Sequence, residues 1–410
     1  MKTVKIVIGS NYGDEGKGLA THYFSQTAKE KNIRCLNVLY NGGSQRGHTV
    51  EYKNGVRHVF HHFGSGTLDN ADNYFDRNFI VNPMVFVSEL NELLQIQKIK
   101  SKIYISPNCC VSTPFDMIIN QMIEIYRQKN KHGSCGYGIW ETKVRYEHSI
   151  YHLEYIDLIN LTDDELFKYL DGIRKVYLPN RLSEYGYNIN DMNTPDLDNY
   201  IENINDDNLI KKYIQDLRTM QDITYTSYFS GILRIYDYII FEGAQGLELS
   251  ETNRKAYPYV TASNTSSLIP IQRIHDSIVE NDCNIEICYV TRSYFTRHGV
   301  GDFPTECPQN SINPEIKDET NVHNKFQDHI RYGFFDYDEF LCRVKYVDAA
   351  IAKSIISNIN TSLLITHLNY TNNDICGNCT IKDLCKDFDS VYLSNTKYAE
   401  DIVIKGDNNG

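Results

Sequence analysis

The stretch that decides the fold is VKIVIGSNYGDEGKG, residues Val4–Gly18, in which a short apolar run ends at a glycine-rich turn. The apolar run predicts a buried strand over Val4–Gly9, and the spacing of apolar residues over Leu19–Lys29 predicts a helix. Glycines let backbone N–H groups approach an anion, and the N-terminus of the following helix adds partial positive charge. The turn is therefore typical of a phosphate-binding loop in an α/β protein.

Further apolar runs are followed by loops rich in polar residues or glycine. They lie at Cys35–Tyr40, Lys102–Ile105, Tyr238–Phe241, Ile285–Val290 and Ser362–Ile365. This pattern predicts an α/β fold with a large, mostly parallel central sheet and flanking helices, with the chemistry at the loops after the strands.

We expect one unit over residues 1–410. The stretch from about 151 to 220 has helical spacing and is interpreted as a helical insertion, and residues from about 370 to 410 as a divergent C-terminal part. The polar tail Asp401–Gly410 is expected to fray.

Composition narrows the class of protein. The chain has 410 residues, 41% of them hydrophobic, and a net charge of −12, which argues against a general nucleic-acid binder. It lacks the run of about 20 apolar residues that a membrane-spanning helix needs. With no export signal, the 11 cysteines are interpreted as reduced thiols of a cytoplasmic protein.

The first loop carries two groups that suit phosphoryl transfer. Lys17 can bridge phosphates, although the Walker pattern requires different residues at Asn11 and Gly18. Asp14 is electrostatically unfavourable in a phosphate loop unless it holds a cation or handles a proton. Both tasks suit a Mg²⁺-dependent phosphoryl transfer.

Three other loops offer polar groups. In Asn41–Thr49, His48 lies among glycines directly after a strand; a lone histidine is usually structural, but this position favours a general acid. In Glu242–Gly246, the amide of Gln245 suits a carbonyl or a base edge. The hydroxyl-rich loop Tyr257–Thr265 suits a monophosphate.

Together these loops closely resemble the adenylosuccinate synthetase family, in order, over about the first three quarters of the chain. The matching motifs are GDEGKG at Gly13–Gly18, GHT at Gly47–Thr49, EGAQG at Glu242–Gly246, YPYVTASNT at Tyr257–Thr265 and TRHGVGDFPTE at Thr296–Glu306.

The resemblance implies a two-step ligase reaction and a cytoplasmic homodimer. A nucleoside triphosphate phosphorylates the 6-oxygen of a purine monophosphate, and the amino group of L-aspartate then displaces that phosphate. The implied catalytic residues are Asp14 as base and Mg²⁺ ligand, His48 as donor to the phosphoryl group, Lys17 as phosphate ligand, and Gln245 as a contact to the base.

The resemblance also implies binding residues. The carbonyl of Gly47 would be a second Mg²⁺ ligand, and Thr261 would hold the 5′-phosphate. Nucleotide phosphates and base would contact Gly13, Glu15, Gly16, Lys17, Gly18, Thr49, His367 and Asn369.

The chain departs from the family in its second loop and near residue 134. Where the family has Asn-Asn-Ala, this chain has Ser44-Gln45-Arg46; Gln45 still suits the substrate phosphate, and Arg46 is interpreted as a phosphate contact or an exposed side chain. Ser134 and Cys135 stand where threonines bind phosphate in the family. Arg145 resembles the arginine that reaches the dimer partner's site, with an ordinary surface arginine as the alternative.

The segment that binds the amino acid also differs. Here one arginine, Arg331, precedes the Tyr332–Phe334 segment, and Asp328 stands near a place usually held by an arginine. Two carboxylates favour bidentate guanidinium partners. We therefore expect Lys325, His329 and Arg331 to bind aspartate, with another amino acid donor as the alternative.

Two residues, Asn369 and Asp14, bear on the choice of nucleotides and favour different relatives of the family. Asn369 stands where the family has the aspartate that recognises guanine, which weakens the preference for GTP over ATP. This change resembles phage relatives that make aminoadenylosuccinate from deoxyguanylate with ATP. Those relatives tend to lack the loop aspartate, whereas this chain keeps Asp14, so we expect IMP as acceptor and leave (d)GMP as the alternative.

Two further hypotheses stay open. Cys376, Cys379 and Cys385, with Cys342 or His367, have spacing compatible with zinc, against the alternative of three reduced cysteines in a loop. A non-catalytic nucleotide-binding sensor is the alternative to an enzyme.

Overall fold

The computed structural model describes residues 1–128, 132–188, 195–277, 283–317 and 329–405. Its strands are β1 Lys2–Gly9, β2 Cys35–Leu39, β3 His48–Glu51, β4 Arg57–Phe60, β5 Asp72–Phe75, β6 Ile103–Ile105, β7 Thr224–Thr226, β8 Tyr238–Gly246, β9 Cys283–Arg292, β10 Phe295–His298, β11 Glu306–Cys307, β12 Ile330–Gly333, β13 Ile359–Thr366, β14 Ser390–Leu393 and β15 Val403–Lys405.

The helices flank these strands. They are α1 Lys17–Glu30, α2 Pro83–Ile96, α3 Pro114–Arg127, α4 Ile139–His148, α5 Tyr155–Asn160, α6 Asp163–Gly172, α7 Leu178–Glu184, α8 Pro195–Asn205, α9 Asp207–Ile223, α10 Phe229–Leu233, α11 Leu268–Ser277, α12 Tyr337–Leu341, α13 Ala350–Ile355 and α14 Ile381–Leu384. Wider π-helical turns join α6 to α7 and α12 to α13.

In the described part of the chain, ten strands form one sheet in the order β15-β14-β13-β9-β1-β8-β2-β5-β6-β7. Neighbours pair in parallel except β14 and β15, which are antiparallel. This confirms the predicted mostly parallel sheet. The prediction of a frayed tail from Asp401 is wrong for Val403–Lys405, which pair with β14 at the edge of the sheet.

The central strands are buried because helices cover both faces of the sheet. All five residues of β2 are buried, and β13 is buried over its last six residues. On one face Phe24 of α1 packs with Val7 and Val290, while on the other Ile6 belongs to a separate apolar cluster. Unbroken apolar runs of this kind are what a parallel sheet covered on both faces requires.

The segment interpreted as an insertion forms helices α5 to α9. Leu170 of α6 and Leu217 of α9 share one buried cluster with Phe86 of α2 and Ile119 of α3. The helices of the segment therefore pack onto the rest of the fold through a common apolar core. Among the described residues, we find no helix with both the length and the apolar character needed to cross a membrane.

Candidate functional site

A large cavity lies at the carboxyl ends of the central strands. Its volume is about 1120 Å³, and the loops after β1, β2, β8, β9 and β13 contribute to its wall. Because these strands are consecutive in a parallel sheet, the loops that follow them meet at one edge. The predicted site residues that line the cavity are Gly13, Asp14, Gly16, Lys17, Gly18, Gln45, Gly47, His48, Thr49, Ser134, Cys135, Gln245, Thr261, His367 and Asn369.

The first loop, residues 9–18, is held in a conformation with several left-handed residues. The φ angles of Gly13, Asp14 and Gly16 are 93°, 61° and 106°. Arg292 donates from Nε to the carbonyl of Asp14 at 2.7 Å, and Thr366 donates from Oγ1 to the carbonyl of Glu15 at 2.8 Å. The N-cap residue of α1 is Gly16, which makes no side-chain cap hydrogen bond, and this suits a helix N-terminus that receives an anion.

Glu15 organises this loop from inside. Its Oε1 accepts hydrogen bonds from the backbone amides of Asn11 and Gly13 at 3.0 and 2.9 Å, and its Oε2 lies 2.7 Å from Nζ of Lys17. The side chains of Glu15 and Lys17 are 2% and 3% exposed. The Glu15 side chain is absent from the cavity wall, so the loop's own carboxylate pairs with the lysine predicted to bind phosphate.

His48 contacts a buried carboxylate of the central sheet. Its Nδ1 lies 2.6 Å from Oε1 of Glu242, in the middle of β8. Burial, followed by the charge of Arg46, lowers the pKa of His48 to about 4. At neutral pH the imidazole is therefore neutral and donates from Nδ1 to Glu242, and Nε2 is the nitrogen that remains for a ligand.

Glu242 accepts hydrogen bonds from several groups. Donors are Nη2 of Arg46 at 3.2 Å, the hydroxyl and amide of Ser65 at 2.5 and 2.9 Å, and Nδ2 of Asn37 at 3.3 Å. Burial alone would raise the pKa of Glu242, but the Arg46 charge and the hydrogen bond from His48 outweigh it and lower this pKa to about 2. Glu242 is thus an anion at neutral pH.

The two unusual residues of the second loop have different environments. Gln45 lines the cavity, and both its amide nitrogen and its amide oxygen are buried without a partner among the described residues. Arg46 was predicted to contact phosphate or to be exposed; it is 1% exposed and bonded to Glu242 and to the carbonyl of Phe63. The interpretation of Arg46 as an exposed side chain is therefore wrong, while the residue does lie on the cavity wall and a phosphate contact stays a prediction.

The carboxyl end of β8 packs closely against the first loop. Gln245 has a φ of 65°, and its Oε1 lies near Gly13. A Cβ at Gly246 would lie 2.3 Å from the carbonyl oxygen of Asn11, so glycine is required at this contact. Thr261 lies on the cavity wall, and its amide donates to the carbonyl of Leu249 at 2.7 Å.

Ser134 and Cys135 lie on the cavity wall, and both side chains are uncharged. The Ser134 hydroxyl donates to Oδ1 of Asn120 at 2.8 Å and accepts from the amide of Gly136 at 3.2 Å. Burial raises the pKa of the Cys135 thiol to about 11, so the thiol is uncharged at neutral pH.

The prediction that Arg145 contacts substrate, in its own or a partner's site, is wrong, and so is the alternative of a surface arginine. Arg145 is fully buried and donates from Nε and Nη2 to Asp116 at 2.8 and 2.9 Å. It also donates to the carbonyls of Val111 and Tyr151. These bonds fix the guanidinium within the core, because α4 packs on α3 and brings the arginine to the first turn of that helix.

The predicted amino-acid site is only partly described. Lys325 and Asp328 lie outside the described residues. Arg331 is absent from the cavity wall; it donates to the carbonyls of Gly299 and Gly301 and lies 3.2 Å from Glu306. In this structure Arg331 therefore supports the loop after β10.

The far end of the cavity contains the residues predicted to contact the donor base. His367 has a φ of 60°, and its Nδ1 lies 2.9 Å from the hydroxyl of Thr366. Asn369 follows on the same wall, with Asn395 and Lys397 from the loop after β14. This end therefore presents amide groups near the position predicted for the donor base.

The zinc hypothesis is not supported. Cys342, Cys376, Cys379, Cys385 and His367 all lie within the described ranges, and those ranges contain no group of three or more His, Cys, Asp or Glu residues arranged to hold a metal ion. Instead Cys379 and Cys385 pack against the apolar core. All of these cysteines are free in the structure.

Sequence reasoning gave no role to Glu242, Arg292 or Arg297. Arg297 lies on the cavity wall, with its guanidinium 4.7 Å from the ring centroid of Tyr12, and burial lowers its pKa. The signal for Glu242 was present in the sequence, as a carboxylate directly after the apolar run Tyr238–Phe241. The contacts of both arginines depend on distant loops and have no local signature.

The family model and the curated relatives that match this chain have the same family name. The family model described as adenylosuccinate synthetase matches residues 6–373. The adenylosuccinate synthetase of Microcystis aeruginosa is 29% identical over 310 residues, which are 73% of this chain and 62% of that enzyme. That of Borrelia recurrentis is 27% identical over 384 residues, 90% of this chain and 77% of that enzyme.

Solved structures share the fold. A fully ligated adenylosuccinate synthetase from Plasmodium falciparum superposes with a TM-score of 0.63 and 21% identity, covering 90% of this chain and 77% of that chain. The cyanophage S-2L succinoaminodeoxyadenylate synthetase, bound to dGMP and to dATP as energy donor, gives a TM-score of 0.58 and 13% identity, covering 98% and 95%.

Proposed function

The chain belongs to the adenylosuccinate synthetase family, whose members are ligases that form a C–N bond, and on that premise we propose a specific reaction for it. The chain joins L-aspartate to C6 of a purine nucleoside monophosphate, at the expense of GTP or ATP. IMP is the favoured acceptor, and the product is then adenylosuccinate.

One observation carries the proposal. Asp14, Lys17, His48, Gln245 and Thr261 come from different loops and line a single cavity of about 1120 Å³. Sites for one drug-sized ligand usually have about 300–1000 Å³, so this volume suits several small substrates together. The buried, unpartnered amide of Gln45 is a further polar group that a substrate phosphate would satisfy.

In the first step, Asp14 accepts the N1 proton of the purine, and the 6-oxygen attacks the terminal phosphorus of the triphosphate. The nucleoside diphosphate leaves. Lys17 and the amides of residues 13–18 stabilise the charge on the phosphoryl oxygens. Gln245 hydrogen-bonds the base, and Thr261 holds the 5′-phosphate.

His48 must gain a proton before it donates to the phosphoryl group. In the ligand-free structure its Nδ1–H is used by Glu242 and its pKa is lowered to about 4. A phosphoryl group beside Nε2 brings negative charge, which favours the imidazolium form. The negative charge of the phosphoryl group therefore raises the pKa of His48, and the proton gained at Nε2 then stabilises that charge.

The donor atoms present fit a magnesium ion. The carboxylate of Asp14 and the carbonyl of Gly47 are hard oxygen ligands on the same cavity wall. Mg²⁺ is usually held by one or two carboxylates together with substrate phosphates and waters, so a larger protein cluster is not required. When bound, the ion would neutralise charge on the phosphates.

In the second step, the amino group of the amino acid attacks C6, the C6–O bond breaks, and inorganic phosphate leaves. We favour aspartate, with Lys325, His329 and Arg331 as candidates for its carboxylates and another amino acid as the alternative. Dimerisation also remains a prediction, but not through Arg145, which is buried.

A second candidate concerns the nucleotides. Asn369 lies on the cavity wall where the family has an aspartate, and an amide is a poor partner for the donor edge of guanine. This favours use of ATP as well as GTP, and an aminoadenylosuccinate synthetase acting on (d)GMP is the alternative. Asp14 favours IMP, because it touches the acceptor directly.

The test crosses IMP, GMP and dGMP with GTP and ATP, with aspartate and Mg²⁺ present, and measures phosphate release and the nucleotide product. We expect turnover with IMP and aspartate. Turnover of dGMP without IMP would replace the acceptor, and strict dependence on GTP would contradict the role given to Asn369. Nucleotide binding without phosphate release for any combination, including other amino acids, would favour a sensor.

A further inference from the structure

Arg46 is a buried cation at a position where the resembling family has a small residue. Its side chain has no exposed surface, and both of its hydrogen bonds come from Nη2, to Glu242 at 3.2 Å and to the carbonyl of Phe63 at 3.1 Å. Nε and Nη1 have no partner among the described residues. Burying a guanidinium with unsatisfied donors is costly, so stability alone does not account for it.

The same Glu242 oxygen that accepts from Arg46 also contacts His48. Oε1 receives Nη2 of Arg46, the hydroxyl of Ser65 and Nδ1 of His48, while Oε2 receives Asn37 and the amide of Ser65. The carboxylate is therefore fixed on both oxygens. Because Arg46 and His48 lie two residues apart in one loop, the ion pair also fixes that loop against β8.

We propose that Arg46 is a positioning residue, which anchors Glu242 and through it orients the His48 imidazole with Nε2 available to the cavity. Arg46 does not contact the substrate in this account. The inference rests on the proposed function, because it concerns the residue that donates to the phosphoryl group.

The test uses Arg46→Met, which keeps the apolar length of the side chain, and Arg46→Lys, whose ammonium can take the place of Nη2. Loss of an outer partner of a site residue usually costs about 10–100-fold in activity. We expect Arg46→Met to lower kcat by roughly that factor with little change in the KM of any nucleotide. Arg46→Lys should recover at least part of the loss.

A second readout does not require activity. A short hydrogen bond from an imidazole N–H to a carboxylate gives a low-field proton signal in NMR, and its absence in His48→Ala assigns it. The signal should be present in the wild type and in Arg46→Lys, and lost in Arg46→Met. Arg273→Met is the matched control, since Arg273 pairs with Asp76 away from the cavity wall and should leave both the signal and kcat unchanged.

Retention of the signal and of normal kcat in Arg46→Met would overturn the proposal. So would a raised KM for the acceptor at unchanged kcat, which would mean direct contact with substrate. If Arg46→Met does not fold, loss of the signal in folded Arg46→Lys overturns it. If the signal behaves as expected but the wild type forms no product, the proposed function fails and the placement of Arg46 stands.

Discussion

The first and second loops each bring one acid–base candidate to the cavity, but their charges are balanced differently. In the first, residues 9–18, Lys17 pairs with Glu15 of the same loop. In the second, residues 41–49, Arg46 pairs with Glu242 on another strand. Both residues lie on the cavity wall, but the Lys17 ammonium can exchange its partner for a phosphate, whereas the Arg46 side chain has no exposed surface.

The difference separates two uses of a buried ion pair. In the first loop, the Glu15 carboxylate binds the lysine and backbone amide that a phosphate would bind, so it takes the place of the ligand. The pair in the second loop sets the position of His48 and has no reason to change when substrate binds.

The largest expected effect is on catalysis, where both loops should be needed. Asp14→Asn and His48→Ala should each lower kcat by roughly 10²–10⁴-fold, as expected when a positioned acid or base is removed. Steady-state kinetics with IMP, aspartate and either triphosphate measures it. Asp237→Asn, at an exposed carboxylate, is the control, and near-normal turnover in either loop variant would remove that residue from the mechanism.

The next prediction compares the two pairs directly. Removing one partner of a buried pair costs about 3–5 kcal/mol, so Glu15→Gln and Glu242→Gln should both lower the free energy of unfolding by that order. A non-hydrolysable triphosphate with Mg²⁺ should restore much of the loss in Glu15→Gln, because phosphate can pair with Lys17. It should restore little in Glu242→Gln, because the Arg46 side chain has no exposed surface through which a phosphate could replace Glu242.

Urea unfolding with and without the triphosphate measures both variants against the wild type. If the triphosphate restored the same share of the unfolding free energy in Glu15→Gln and Glu242→Gln, the proposed difference between the two ion pairs would be wrong.

A smaller effect concerns the free energy of unfolding at acid pH and involves His62, which the charge of Arg46 in the second loop affects. Burial, followed by the charge of Arg46, lowers the pKa of His62 to about 3. Below pH 6.5 the unfolded chain binds a proton at this histidine and the folded chain does not, so stability is lost as the pH falls toward 3. Between pH 7 and 5 the loss is about 2 kcal/mol.

His62→Gln keeps an acceptor for the amide of Asn82 but does not titrate. Urea unfolding at the two pH values should therefore give a smaller loss in the variant than in the wild type. The same loss in both would contradict the assignment to His62.

The sequence predicted the sheet better than the details of the site. Runs such as Val4–Gly9 and Cys35–Tyr40 are local signals, and they form the central strands β1 and β2, which flank β8. Asp14, His48 and Gln245 were identified because they stand in matched glycine-rich loops. All three lie on the cavity wall.

Contacts between distant residues account for what was missed. Arg145 pairs with Asp116, 29 positions earlier, and Arg46 with Glu242, 196 positions later. No local pattern links such partners, and an arginine is by default expected to be exposed. Asp116 and Glu242 could be assigned as the partners of these arginines only when the packing of helices and strands was known.

The central claim is that the 6-oxygen of the purine is phosphorylated and then leaves as phosphate. The most direct measurement supplies IMP labelled with ¹⁸O at position 6, together with aspartate, Mg²⁺ and unlabelled triphosphate, and determines the mass of the inorganic phosphate released. The account predicts one ¹⁸O atom in the phosphate for each nucleotide product formed. Unlabelled phosphate alongside product formation would contradict it, because the oxygen would then have left by another route.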